Sequence, residues 1–168
     1  MKFVLLDRIV SLEPERSIVT RKSLSLAEEY LADHFPTFPV MPGVLMLEAM
    51  VQSAAWLVRA TTDFGASMVV LEEARSVTYK SFVSPGQTLE LRLSATSIGP
   101  RGSEFRGVGL CGPREAVKAQ LRLRHYNLAE QSPELAPLDR ALVQRARATF
   151  ELLGGPAAMS APAEAGRA

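Results

Sequence analysis

Two side chains in this sequence have the types that proton-transfer chemistry needs: the imidazole of His34 and the carboxyl of Glu48. His34 lies in a stretch punctuated by Pro36, Pro39 and Pro42, each of which fixes a backbone angle and removes a hydrogen-bond donor. Glu48 is the single charged residue in the run from Gly43 to Val58. Burial disfavours an ionised carboxylate, so a carboxyl there is biased towards keeping its proton. A helix starting after Pro42 would leave the amides of Gly43 and Val44 unpaired, with the positive end of the helix dipole behind them. Glycine at 43 would let a ligand carbonyl come close to the backbone. An amide donor, a protonated carboxyl and a neutral imidazole together make a site for removing a proton next to a carbonyl. Each residue also has a plainer reading. A loop histidine can be a solvated or capping residue, and a buried glutamate can be a polar group satisfied by Gln52 one turn on.

The elements that must position these groups follow from the hydrophobic pattern. The run 43–58 reads as a helix, with proline favoured at its first position. Its apolar residues surround the axis, which predicts a buried central helix. Before it come an apolar opening at 3–12, a turn at 13–15, an alternating strand at 18–24 and a helical turn or two at 26–31. After it come strand candidates at 67–71, 76–83, 87–95, 104–111 and 115–126, separated by turns at Ser84-Pro85-Gly86, Gly99-Pro100 and Gly112-Pro113. The clearest alternation sets Val117, Ala119, Leu121 and Leu123 against Lys118, Gln120, Arg122 and Arg124. One long helix with an antiparallel meander is an α+β arrangement, a curved sheet wrapped around the helix. Residues 1–130 make that domain. Residues 131–153 form a helical extension, with Leu142, Val143, Ala146, Phe150 and Leu153 on one stripe of a helix at 139–153. The Gly, Pro and Ala content of 154–168 predicts a disordered tail.

Bulk properties exclude several classes. With 168 residues and a net charge of +1, the chain has no strong field for nucleic acid or an anionic membrane. Cys111 is the only cysteine, which rules out an intramolecular disulfide, points to a reducing compartment and reads as a small buried residue. His34 and His125 are far apart with no cysteine pair, so no metal-ligand spacing is present. His125 falls on the inward face of the last strand and reads as structural. No secretory signal develops before Asp7 and Arg8, and the central apolar run is too short to cross a bilayer. The expectation is a soluble, cytoplasmic protein.

The segments His34-Phe35-Pro36, Phe38-Pro39-Val40-Met41-Pro42-Gly43-Val44 and Glu48-Ala49-Met50 closely resemble the active-site signature of the FabZ-type (3R)-hydroxyacyl-acyl carrier protein dehydratases. Tyr79-Lys80 and Val83-Ser84-Pro85-Gly86 look like that family's Phe-Arg and Val-Pro-Gly-Asp segment, and the similarity spans about residues 3–127. The resemblance implies the hotdog fold, and it implies a hydro-lyase in fatty-acid or related acyl-chain synthesis. His34 would be the base, and Glu48 from a neighbouring subunit the acid. The Gly43 amide would hold the thioester carbonyl, with Val44, Met41, Phe35, Gln52 and Tyr79 completing the substrate site. No cofactor is implied beyond the phosphopantetheine arm of acyl carrier protein, the implied partner. The assembly would be a homodimer or a trimer of dimers. Glutamate at 48 fits the FabZ type, whereas the FabA type carries aspartate. Asp33 and Thr37 stand where the family usually has glycines, Phe82 where it has proline and Gln87 where it has aspartate. Two alternatives use the same residues: a hotdog acyl thioesterase, in which Glu48 activates water, and a non-catalytic acyl-binding or assembly subunit.

Overall fold

The structure is a computed structural model that describes residues 4–35 and 37–160; residues 1–3, Pro36 and the tail from 161 to 168 lie outside the described residues. Six strands form one sheet: β1 (Arg8–Glu13), β2 (Ser17–Ser23), β3 (Met68–Tyr79), β4 (Thr88–Ile98), β5 (Gly102–Cys111) and β6 (Arg114–Tyr126). Their order is β1-β2-β4-β5-β6-β3, with every neighbouring pair antiparallel. Helix α1 (Gly43–Thr61) connects β2 to β3 and packs on the sheet. Helices α2 (Ala136–Leu152) and α3 (Gly155–Ser160) follow β6.

The alternation read in the sequence becomes two faces of the sheet. Leu89, Leu91 and Leu93 of β4, Phe105 of β5 and Val117, Leu121 and Leu123 of β6 are buried against Met46, Met50, Ala54 and Leu57 of α1. Fully burying one such side chain contributes about 1.5–3 kcal/mol. Close packing of α1 on β5 depends on Gly107, where a Cβ would come within 2.5 Å of the Met50 methyl. One polar link crosses the apolar interface. Buried Thr20 and Ser53 share a 2.7 Å hydrogen bond, and the Ser53 hydroxyl donates onward to the Ala49 carbonyl. That leaves Thr20 as the donor of the shared bond, and both hydroxyls are satisfied.

Several boundaries differ from the pattern-based expectation. The charged step at 72–75 does not split a strand: β3 runs unbroken through it, with register shifts at Leu71/Glu73 and Arg75/Thr78 and Ser76 at φ 51°. β3 is an edge strand, and its open side tolerates charge. It ends at Tyr79, because the chain then leaves the ladder and the Val83 carbonyl accepts the Met41 amide at 2.9 Å. Pro42 precedes α1 as its cap residue (ψ 136°) and is not its first helical residue; its carbonyl accepts the amides of Leu45 and Met46. The helix continues past Val58 to Thr61, with Arg59 stacked 5.2 Å from the Trp56 ring. Nor is α1 buried all round. Val44 is 67% exposed, and Leu45, Leu47, Glu48 and Gln52 are half-buried.

The expected disordered tail is in part an ordered element. Residues Gly155–Ser160 form α3, which packs on β1, with Gly155 and Ala158 buried. The small residues that suggested disorder allow close contact here, since a Cβ on Gly155 would fall 2.3 Å from the Phe150 ring. The extension docks on its own chain: Phe150 lies 5.9 Å from Trp56 and 5.6 Å from Phe64. Buried Asp139 accepts hydrogen bonds from the Ser67 hydroxyl and, at 2.9 Å each, from the amides of Leu128 and Ala129. Burial alone would push its carboxyl up, but these three donors outweigh that and hold it below its ordinary value. The Leu153 carbonyl accepts the Ile9 amide at 2.8 Å, so the end of α2 covers part of the β1 edge.

Candidate active site

The loop carrying His34 is tied down at both ends. On its near side, buried Lys22 of β2 pairs with Glu28 at 2.7 Å and Asp7 at 3.3 Å. Burial would lower the lysine's pKa, but the two carboxylates more than offset it and keep the ammonium charged. Glu28 leads into a single 3-10 turn, Glu29–Leu31, anchored by buried Leu31. His34 follows, half-buried, its ring 4.5 Å from that of Phe35. Phe35 takes a left-handed backbone (φ 50°), costly for a bulky side chain, and its carbonyl accepts the Phe38 amide at 2.7 Å. On the far side, buried Val40 and Met41 lead into Pro42 and α1.

These elements surround a cavity of about 610 Å³, the size of an ordinary small-molecule pocket. Of the expected site residues, His34, Phe35, Met41, Gly43 and Tyr79 line it. The start of α1 thus meets His34 on one cavity, and helix geometry leaves the Gly43 amide without an intrahelical acceptor. The room that glycine gives at 43 is taken by the protein itself: a Cβ there would lie 3.1 Å from the Tyr79 ring. Burial pushes the Tyr79 phenol above its usual pKa, so it presents a neutral hydroxyl.

Three expected residues are not on this cavity. Val44, Glu48 and Gln52 lie outside its lining, on the half-exposed face of α1. The Gln52 side-chain amide donates to Glu48 Oε1 at 3.0 Å, and its carbonyl accepts the Leu5 amide at 3.0 Å. The expectation of a fully buried Glu48 is therefore corrected: within one chain it is half-buried beside Gln52, as the plainer reading had it. Conversely, Phe38, Met46, Phe82, Gln87 and Arg114 line the cavity although none was a predicted site residue. Phe38, Phe82 and Gln87 lie in or beside the matched signature segments, which was a signal of sorts. Arg114 had none, because it reaches the cavity only when β6 folds back beside the 80–87 segment. His125 is buried at 2% exposure, with Nε2 3.0 Å from the Ser103 hydroxyl, and stands apart from the cavity lining.

The chain is similar to known proteins in sequence and in fold. The family model for the FabA-like domain matches residues 1–110. A 3-hydroxyacyl-[acyl-carrier-protein] dehydratase FabZ from Pelotomaculum thermopropionicum is 34% identical over 119 residues, covering 71% of this chain and 85% of that protein. One from Chloroflexus aggregans is 36% identical over 119 residues, covering 71% and 78%. Among solved structures, the dehydratase heterocomplex ApeI:P from Xenorhabdus doucetiae superposes with a TM-score of 0.65 at 17% identity, over 79% of this chain and 90% of that one. A Streptococcus mutans protein bound to acetyl CoA gives 0.57 at 16% identity, over 74% and 92%. The long helix, the six-stranded antiparallel sheet and the matched residues have one family in common, and the chain belongs to it: the FabA-like hotdog family, of the FabZ dehydratase type.

Proposed function

We propose that this protein dehydrates (3R)-hydroxyacyl chains carried on acyl carrier protein to trans-2-enoyl chains. The observation that carries the reading is the placement of His34 and the first amide of α1 on one cavity of about 610 Å³. In the proposed reaction the His34 imidazole removes the proton on the carbon next to the thioester carbonyl. Negative charge develops on the carbonyl oxygen, which the Gly43 amide holds; one such donor contributes roughly 3 kcal/mol to the transition state. The Glu48 carboxyl gives its proton to the hydroxyl on the next carbon, the carbon–oxygen bond breaks, and water leaves. Each positioned acid or base adds about a hundred- to ten-thousandfold in rate.

Glu48 lies off the cavity of its own chain, so its role requires a second copy. Two features favour pairing through β3. The β1 edge is partly covered by the C-terminal extension, whereas among the described residues the outer side of the twelve-residue β3 has no neighbour in the sheet. Beside it, Leu71, Tyr79 and Val44 are exposed. In the resulting dimer Glu48 of one copy would serve the His34 cavity of the other. Arg114 and Lys80 on the cavity wall suit an acidic carrier protein delivering its phosphopantetheine arm.

The test is hydration and dehydration of 3-hydroxyacyl and 2-enoyl thioesters by wild type, His34→Ala and Glu48→Gln. Both variants should lose at least a hundredfold in kcat while folding normally. A variant that turns over at the wild-type rate would refute the role of its residue. Release of free thiol in place of enoyl product would establish the thioesterase alternative. Acyl binding without turnover by wild type would establish the non-catalytic one.

A further inference from the structure

Four aromatic rings line the cavity: Phe35, Phe38, Tyr79 and Phe82. In the single chain they are 57%, 55%, 45% and 60% exposed, far above the core rings, so they present apolar faces to the cavity. Phe38 and Phe82 already meet edge to face, with centroids 5.6 Å apart and planes at 87°. The rest of the apolar lining is aliphatic or thioether, at Val40, Met41 and Met46. A saturated, flexible chain gains from such rings only through the area it buries. A planar, conjugated chain gains in addition from face and edge contacts between π-systems, and aromatic side chains lose little conformational freedom in making them. Phe82 sits where the resembling signature carries proline, and its ring is the one that Phe38 meets.

We propose, resting on the dehydratase reading, that the acyl group taken by this cavity is planar and conjugated, a polyenoyl or aryl-terminated chain, and that Phe82 selects it. The reaction suits such a chain. Loss of water from a 3-hydroxy-4-enoyl thioester removes the hydrogen at C2 and the hydroxyl at C3 and leaves a 2,4-dienoyl thioester. The product is one double bond longer in conjugation, and flatter, than the substrate.

The experiment measures binding of two unreactive pantetheine amides of equal chain length, one saturated and one a 2,4-dienoyl, to wild type, Phe82→Ala and Phe82→Leu. Leucine keeps apolar bulk without a π-face, so it separates hydrophobic contact from stacking. Wild type should bind the dienoyl amide about fivefold more tightly, about 1 kcal/mol. In Phe82→Leu the saturated amide should keep its affinity while the ratio falls to about one. Equal binding of the two amides by wild type, or an unchanged ratio in Phe82→Leu, overturns the proposal. So does a drop in solution mass of both Phe82 variants, which would assign the ring to an interface between copies. Dehydration of a 3-hydroxyacyl thioester is assayed in parallel. If that fails while the binding ratio holds, the reaction is refuted and the selectivity of the cavity stands.

Discussion

At the scale of single residues, the two histidines differ in their sequence surroundings and in their burial, His34 half-buried on the cavity and His125 2% exposed. His34 lies in a loop broken by prolines, and His125 on a strand whose alternation points it inward. Burial lowers the pKa of the His125 imidazole, against ring hydrogen bonds with the carbonyls of Gly102 and Pro100 that raise it. An unfolded histidine titrates near pH 6.5, so above that pH both states carry a neutral ring and His125 adds no pH dependence. As the pH falls through about 6.5, the unfolded chain takes up the proton first and stability declines. The lowered carboxyls of Glu90, Glu134 and Asp139 weaken the fold only at more acid pH, within and below the usual carboxylate range. The melting midpoint of wild type should therefore fall between pH 7.5 and about 5.5, and by less in His125→Gln, which keeps a polar partner for Ser103. Parallel melting curves for the two proteins across that range would reject the assignment. Glu48 was legible as an odd residue in an apolar run but not in its environment. An acid on a helix reads as buried from sequence, and only the packed chain shows which face of α1 meets the sheet.

Elements were legible wherever one face is buried and obscured wherever an edge intervenes. β4 and β6, covered by α1 on one face, alternate cleanly; β6 was read to within one residue, while β4 runs three residues past its expected end, to Ile98. β3, at the edge, accepts Glu72, Glu73 and Arg75 in its middle, so no alternation survives to mark it. The C-terminal extension shows the same problem in reverse. A stretch rich in glycine, proline and alanine matches the composition of a tail, yet Gly155 is where α3 turns in against Phe150. Phe150 holds the extension through Trp56, Phe64 and Gly155, and no local pattern announces a contact between residues so distant in sequence. Phe150→Ala should cost about 3 kcal/mol, the usual loss for truncating a buried phenylalanine. The loss should appear as a lower denaturation midpoint with faster hydrogen exchange at the Ile9 amide, which Leu153 protects. A midpoint within about 0.5 kcal/mol of wild type would mean that α2 and α3 are held by other contacts.

At the scale of the whole molecule, the sheet has, among the described residues, one edge partly covered and one open, and His34 lines the cavity while Glu48 lies off it. These two asymmetries answer each other if β3 meets β3 of a second copy. A two-fold interface of that kind is isologous and closes, so it makes a dimer and no open fibre. It also predicts how mutants combine. Each site would take His34 from one copy and Glu48 from the other. A dimer of one His34→Ala chain and one Glu48→Gln chain would then have one site with both changes and one with neither. Co-expressing the two inactive variants should restore about a quarter of wild-type activity, since about half the dimers are mixed and each mixed dimer holds one intact site. Neither variant alone should recover under the same treatment. Adding a charge to the shared edge, as in Leu71→Lys, should weaken the dimer and remove the restored activity with it. If the mixed sample stays as inactive as its components while mixed dimers are demonstrably present, Glu48 does not complete its neighbour's site. The half-exposed face of α1 would then serve association alone.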